Sequence, residues 1–179
     1  MWRKAVVVVW AALVPVVASG QAPRTDTSIL ADIAREVEQY AGFTVFDEVS
    51  ARVEDGRVTL RGRVTMPYKV DVIGARVSGV GGVRDVRNEI EVLPVSQFDE
   101  ALRYRISRAI YGNPAFWHYA SMACPPIHLI VEGGHVTLTG VVNSEVERML
   151  ARSLASGTGA FSVASRLVTD AVVRVDHEK

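Results

Sequence analysis

The sequence predicts an α+β protein of two tandem αββαβ modules, each a small three-stranded sheet packed under two helices, behind an N-terminal signal peptide. Three observations carry that reading. The segment Val58-Thr59-Leu60-Arg61-Gly62-Arg63-Val64 returns 78 residues later as Val136-Thr137-Leu138-Thr139-Gly140-Val141-Val142, so the chain contains an internal repeat. Each copy follows a tight-turn dipeptide, Asp55-Gly56 or Gly133-Gly134, with a short alternating run ahead of it: Val49, Ala51, Val53 in one, Ile127, Leu129, Val131 in the other. Such alternation around residues that accept a positive φ marks a β-hairpin with a two-residue turn. Finally, apolar residues at helical spacing flank each hairpin on both sides.

Taken in chain order, residues 1–20 form the signal peptide. Arg3 and Lys4 precede an uncharged run from Ala5 to Ala18, with small residues at Ala18 and Gly20. As a helix that run spans about 21 Å, short of the roughly 30 Å hydrocarbon core, which argues against a permanent anchor. Cleavage is expected after Gly20, and Gln21 in place of cysteine excludes the usual lipoprotein route. The expected product, 21–179, is periplasmic or secreted; an uncleaved segment would tether it to the inner membrane.

Module 1 is expected over 26–93. Ile29, Leu30, Ile33, Ala34, Val37, Tyr40 and Ala41 mark its first helix, the Asp55-Gly56 hairpin follows, and Val70, Ile73, Val77 and Val80 mark a second helix before a strand over 86–92. The linker 93–97 leads into module 2, expected over 98–170. There Leu102, Ile106, Ala109 and Ile110 give the first helix, stopped by Gly112-Asn113-Pro114. After the second hairpin, Ser144 and Glu147 read as a capping box for a helix carrying Val146, Met149, Leu150 and Leu154. A strand over 163–169 closes the module, and 171–179 is expected to be a tail. Cores this small imply that packing between the copies adds stability.

Composition narrows the function. The 179 residues carry 20 basic and 20 acidic side chains. That balance argues against nucleic-acid coating, which needs a basic excess. Cys124, the single cysteine, cannot form an internal disulfide, and its small apolar neighbours fit a buried, inert thiol. There is no Gly-rich phosphate loop, no Gly-x-Ser-x-Gly elbow and no His-Glu-x-x-His, so no enzyme is expected and no cofactor. A metal site is not expected either. With a two-residue turn His135 faces Glu132, which puts His128 roughly 13 Å along the strand, too far to share an ion. The polar strand exteriors, Arg52, Glu54, Arg57, Thr59, Arg61 and Arg63, need no ligand, since cross-strand charge pairs explain them.

The repeated unit resembles the BON domain family. The matching residues are the hairpin Glu54 to Gly62 and the closing Gly82-Val83-Arg84-Asp85-Val86-Arg87-Asn88 run. In the second copy they are Gly133 to Gly140, Ser144, Glu145, Glu147, Arg148 and Phe161-Ser162-Val163, with Ala160 and Ser165 standing where the first copy has Val83 and Asn88. The resemblance implies a non-enzymatic bacterial envelope protein that binds phospholipid or other envelope components and is linked to osmotic stress. It transfers no ligand residues by name, and fold alone does not fix function.

What separates the copies supplies the candidate site. The first helices align at a shift of 70 and the hairpins at 78, which places eight extra residues in module 2. That region includes Phe116 and Trp117. On the preceding helix Tyr104, Arg108 and Tyr111 share the face opposite the core stripe, where module 1 shows Asp32, Arg35, Glu36 and Gln39. Tyrosine and tryptophan suit the lipid interface and arginine suits phosphate, so Tyr104, Arg108, Tyr111, Phe116 and Trp117 are candidate contacts with a membrane phospholipid surface. Packing against module 1 or under the insertion would explain the same aromatics. Two other functions stay open: an adaptor docking an envelope protein, and a module binding a small ligand or ion.

Overall fold

The structure is a computed structural model that describes residues 24–170. The expected signal peptide and the expected C-terminal tail lie outside the described residues. Module 1 runs α1 (Asp26–Glu38), β1 (Glu48–Glu54), β2 (Arg57–Val64), α2 (Pro67–Ser78) and β3 (Asp85–Val92). Module 2 runs α3 (Gln97–Tyr111), a 3-10 turn (Pro114–Phe116), α4 (Trp117–Ala120), β4 (Ile127–Glu132), β5 (His135–Val142), α5 (Glu145–Ser156), β6 (Ser162–Ser165) and β7 (Val168–Thr169). In each sheet the hairpin is antiparallel and the strand after the second helix returns parallel to its inner strand, the pairing a helical crossover permits.

The two hairpins form as their turn residues dictate. Asp55 and Gly56 have φ of 51° and 74°, Gly133 and Gly134 of 57° and 77°, the left-handed pair of a type I′ turn. Each turn is braced from the helix ahead of it. The Asp26 carboxylate accepts from the backbone N–H groups of Asp55 (2.8 Å) and Gly56 (3.0 Å), and the Asp99 carboxylate from those of Gly133 (2.8 Å) and Gly134 (2.7 Å).

Those braces also correct the helix alignment. Asp26, Ile29, Ile33 and Val37 correspond to Asp99, Leu102, Ile106 and Ile110, a constant shift of 73, so module 2 carries five extra residues rather than eight. The smaller number follows from three-dimensional equivalence, because neighbouring apolar stripes one turn apart look alike in sequence.

Two further expectations are revised. Leu150 and Leu154 pack against the core as expected, but Val146 and Met149 are exposed, and the fully buried positions of α5 are Ala151 and Ala155, the counterparts of Ile73 and Val77 in α2. Small side chains there leave room in the core, and Phe116 and Tyr119 from the insertion belong to that same cluster. The closing strand of module 2 is interrupted at Arg166 and Leu167; β6 and β7 pair with β5 in one continuous register on either side of the break. In module 1 the Asn88 amide bonds the Val70 carbonyl and ties the unbroken β3 to α2, whereas the buried Ser165 hydroxyl makes no such bond.

Candidate functional site

The modules meet through the segment 43–47, which follows α1. Phe46 packs into the partly buried rim of the module 2 core and meets Tyr104 edge-on, ring centroids 5.5 Å apart. Phe43 lies 5.4 Å from the His128 ring, and the Leu129 N–H donates to the Val45 carbonyl at 2.7 Å. A cross-module ion pair, Arg63 to Glu132 at 3.0 Å, closes one side.

What shapes this segment is a buried charge. Asp47 is fully enclosed, and its carboxylate accepts from the backbone N–H and hydroxyl of both Thr44 and Thr65 and from the Lys69 ammonium at 2.6 Å. Burial alone would raise the Asp47 pKa; the bonds from Lys69, Thr65 and Thr44 outweigh it and hold the carboxyl below its ordinary 3.8. Module 2 reverses the polarity at the matching position. Glu147 stands where Lys69 stands, and its carboxylate accepts from the Tyr119 hydroxyl (2.7 Å) and the Asn143 N–H (2.9 Å). Ser144 caps α5 as expected, accepting from the Glu147 N–H, but the Glu147 carboxylate serves Asn143 rather than completing the capping box. Burial and the bond to Glu147 push the Tyr119 phenol up to about 12.

Between the modules lies an apolar cleft of about 430 Å³, walled by α1, Phe43 and β1 on one side and by Cys124, Pro125, Pro126, His128 and the end of β5 on the other. Burial holds the His128 imidazole below its ordinary 6.5, although the backbone carbonyls of Asp47 and Thr44 favour its charged form. The unfolded chain therefore takes up a proton near pH 6.5 that the folded chain refuses, and stability declines as pH falls from 7 to 5. Replacing His128 with Gln flattens that decline, measured by denaturant unfolding at several pH values. An identical slope in the variant would assign the proton uptake to another group.

The five candidate contact residues divide. Tyr104 and Trp117 are 59% and 62% exposed, and Arg108 is exposed. Tyr104, Arg105, Arg108 and Ala109 line a shallow depression of about 320 Å³ on the outer face of α3. Tyr111 is half-buried with its hydroxyl donated to the Ile127 carbonyl, and burial raises its pKa well above the ordinary 10.0. Phe116 is fully buried in the core and belongs to no surface, because the alanines of α5 leave it a place inside. Sequence reasoning missed Phe98 and Phe161, which stack on each other (5.6 Å) beside the second hairpin turn, with Phe161 71% exposed. The available signal was at the turn: Phe161 lies over Gly134, where module 1 lays Arg84 over Gly56.

His135 faces Glu132 as the hairpin requires. Among the described residues no three His, Cys, Asp or Glu side chains converge as a metal site would need, and no helix is long and apolar enough to cross a membrane.

A family model, the BON domain, matches residues 25–94 and 119–171, most of the chain and both hairpin units. The chain belongs to the BON domain family. The second match starts beyond α3, so the helix that bears Tyr104 and Arg108 lies outside both matched segments of this BON protein. No curated protein matches the chain. Among solved structures it is similar to CdsD, a structural protein of the type III secretion system of Chlamydia trachomatis, at 13% identity over 83% of this chain and 99% of that one, TM-score 0.26. The C-terminal domain of CdsD gives 14% identity over 82% and 99%, TM-score 0.29. Superposition that poor carries no functional argument.

Proposed function

We propose that this BON protein is a non-catalytic component of the bacterial envelope that rests on an anionic phospholipid surface through the outer face of α3. One observation carries the reading. Arg105 and Arg108 enter no ion pair among the described residues and flank the exposed Tyr104, whereas six of the module 1 arginines, Arg35, Arg52, Arg61, Arg63, Arg76 and Arg87, though not Arg57 or Arg84, end on carboxylates. Uncommitted guanidinium groups beside an amphipathic ring suit phosphate at the headgroup level. Trp117 and the exposed Phe98–Phe161 stack add apolar contact on the same module, and four of the five exposed aromatics among the described residues belong to module 2. Family membership supports an envelope role, and a link to osmotic stress extends it.

Co-sedimentation with vesicles tests this. Binding to anionic vesicles is expected to exceed binding to neutral ones and to fade with salt. Each basic residue near such a surface contributes about 1 kcal/mol, so changing Arg105 and Arg108 together to Gln should weaken binding about 30-fold. The pair Arg108→Gln with Trp117→Ala should also bind more weakly while remaining folded. Unchanged binding in both folded variants would remove α3 from the contact surface. If the protein pellets with no vesicle, the adaptor reading takes over, with the Phe98–Phe161 stack as its docking patch.

A further inference from the structure

The cleft between the modules has a chemical character of its own. Its volume is within the range of small-molecule sites. Leu30 and Ala34 of α1 fit the helix's apolar pattern but turn away from the module 1 core, whose α1 residues are Ile29, Ile33 and Val37; they line the cleft instead and stay exposed. Across from them stand Pro125, Pro126 and Val141. The charged groups that line it are both carboxylates, Glu38 and Glu48, and no lysine or arginine is among the lining residues. His128 does not offset them, since burial favours its neutral ring. An anionic amphiphile entering here would meet two like charges, while a cation would find two counter-charges, Glu48 half-buried and Glu38 exposed.

We propose that this cleft binds a small amphipathic amine, its apolar body lying between α1 and the Pro125-Pro126 segment and its ammonium group paired with Glu38 and Glu48. This site is separate from the α3 face and prefers the opposite ligand charge, so either assignment can fail without the other.

Cys124 lines the cleft and is the only cysteine in the sequence, which makes it a built-in reporter. The test measures the rate of Cys124 alkylation by iodoacetamide with dodecylammonium, dodecanoate or an uncharged dodecyl alcohol present, each below its micelle-forming concentration. Dodecylammonium is expected to slow alkylation several-fold and saturably, and to raise the melting temperature; dodecanoate is expected to do neither. Changing Glu38 and Glu48 together to Gln should weaken the dodecylammonium effect about tenfold. Ala34→Trp, which fills the cleft from an exposed helix position, should abolish it with the unfolding transition intact. Protection that never saturates, equal protection by dodecanoate, or an undiminished effect in the folded Glu-to-Gln pair overturns the proposal.

Discussion

Changing Lys69 to Met is expected to lower stability by about 3–5 kcal/mol, because it strands a fully buried carboxylate without its counter-charge. For a chain of this size that is a melting-temperature drop on the order of 10 °C. The four bonds from Thr44 and Thr65 remain, but the largest of the contributions that lower the Asp47 pKa is lost with Lys69, so that pKa rises from its native value. The sign of the pH effect follows. In the native protein the Asp47 carboxyl is depressed below 3.8, so its contribution is complete above that value and is withdrawn only as pH falls through the lower folded value. In the variant the acid transition moves upward. A local reporter is available in the Leu129 amide, whose partner Val45 sits in the segment that Asp47 holds. Its hydrogen exchange should accelerate in the variant more than that of Leu138 on the inner strand. Adding Asp47→Leu to Lys69→Met should recover part of the lost stability, since the buried charge is then gone. No difference between the single and double variants would mean that Lys69 acts through packing of its stem alone.

How much of this was legible beforehand depended on the range of the cause. The hairpins were, because Asp55-Gly56 and Gly133-Gly134 specify their turn locally and the alternation beside them specifies the face. The helices were, from apolar spacing. The core face of α5 was legible only in part: Leu150 and Leu154 do pack on the core, but Val146 and Met149 are larger than Ala151 and Ala155, and only the arrival of Phe116 and Tyr119 from far earlier in the chain makes alanine the right size. For the same reason Phe116 read as a contact residue and proved to be core. Asp47 did not stand out, since nothing near it in sequence shows that Lys69 will close over it. A faint trace existed in the charge reversal between Lys69 and Glu147 at the repeat spacing. The junction built by Phe43, Val45 and Phe46 left no local pattern at all, because it depends on how two separately folded units come together.

Gly140→Ala should produce the other large effect, and Gly133→Ala supplies its control. Both glycines have positive φ, +115° at 140 and +57° at 133, so alanine is strained at either. They differ in surroundings. A Cβ at 133 meets nothing within 4 Å, whereas one at 140 overlaps the carbonyl oxygen of Pro126, as one at Gly62 would overlap that of Glu48. Strain at 133 costs about 1 kcal/mol. At 140 the strain combines with forced displacement of the neighbouring backbone, which adds about 1–3 kcal/mol, for a total near 3 kcal/mol by denaturant unfolding. Pro126 is also a wall of the cleft, so moving it should open that wall and speed Cys124 alkylation in the absence of any amphiphile. Gly133→Ala, at the far end of the same hairpin, should leave that rate unchanged. If the two variants cost the same, the recurring glycine of the Val-Thr-Leu-x-Gly segment is required for its backbone angle and not for the approach of the preceding strand.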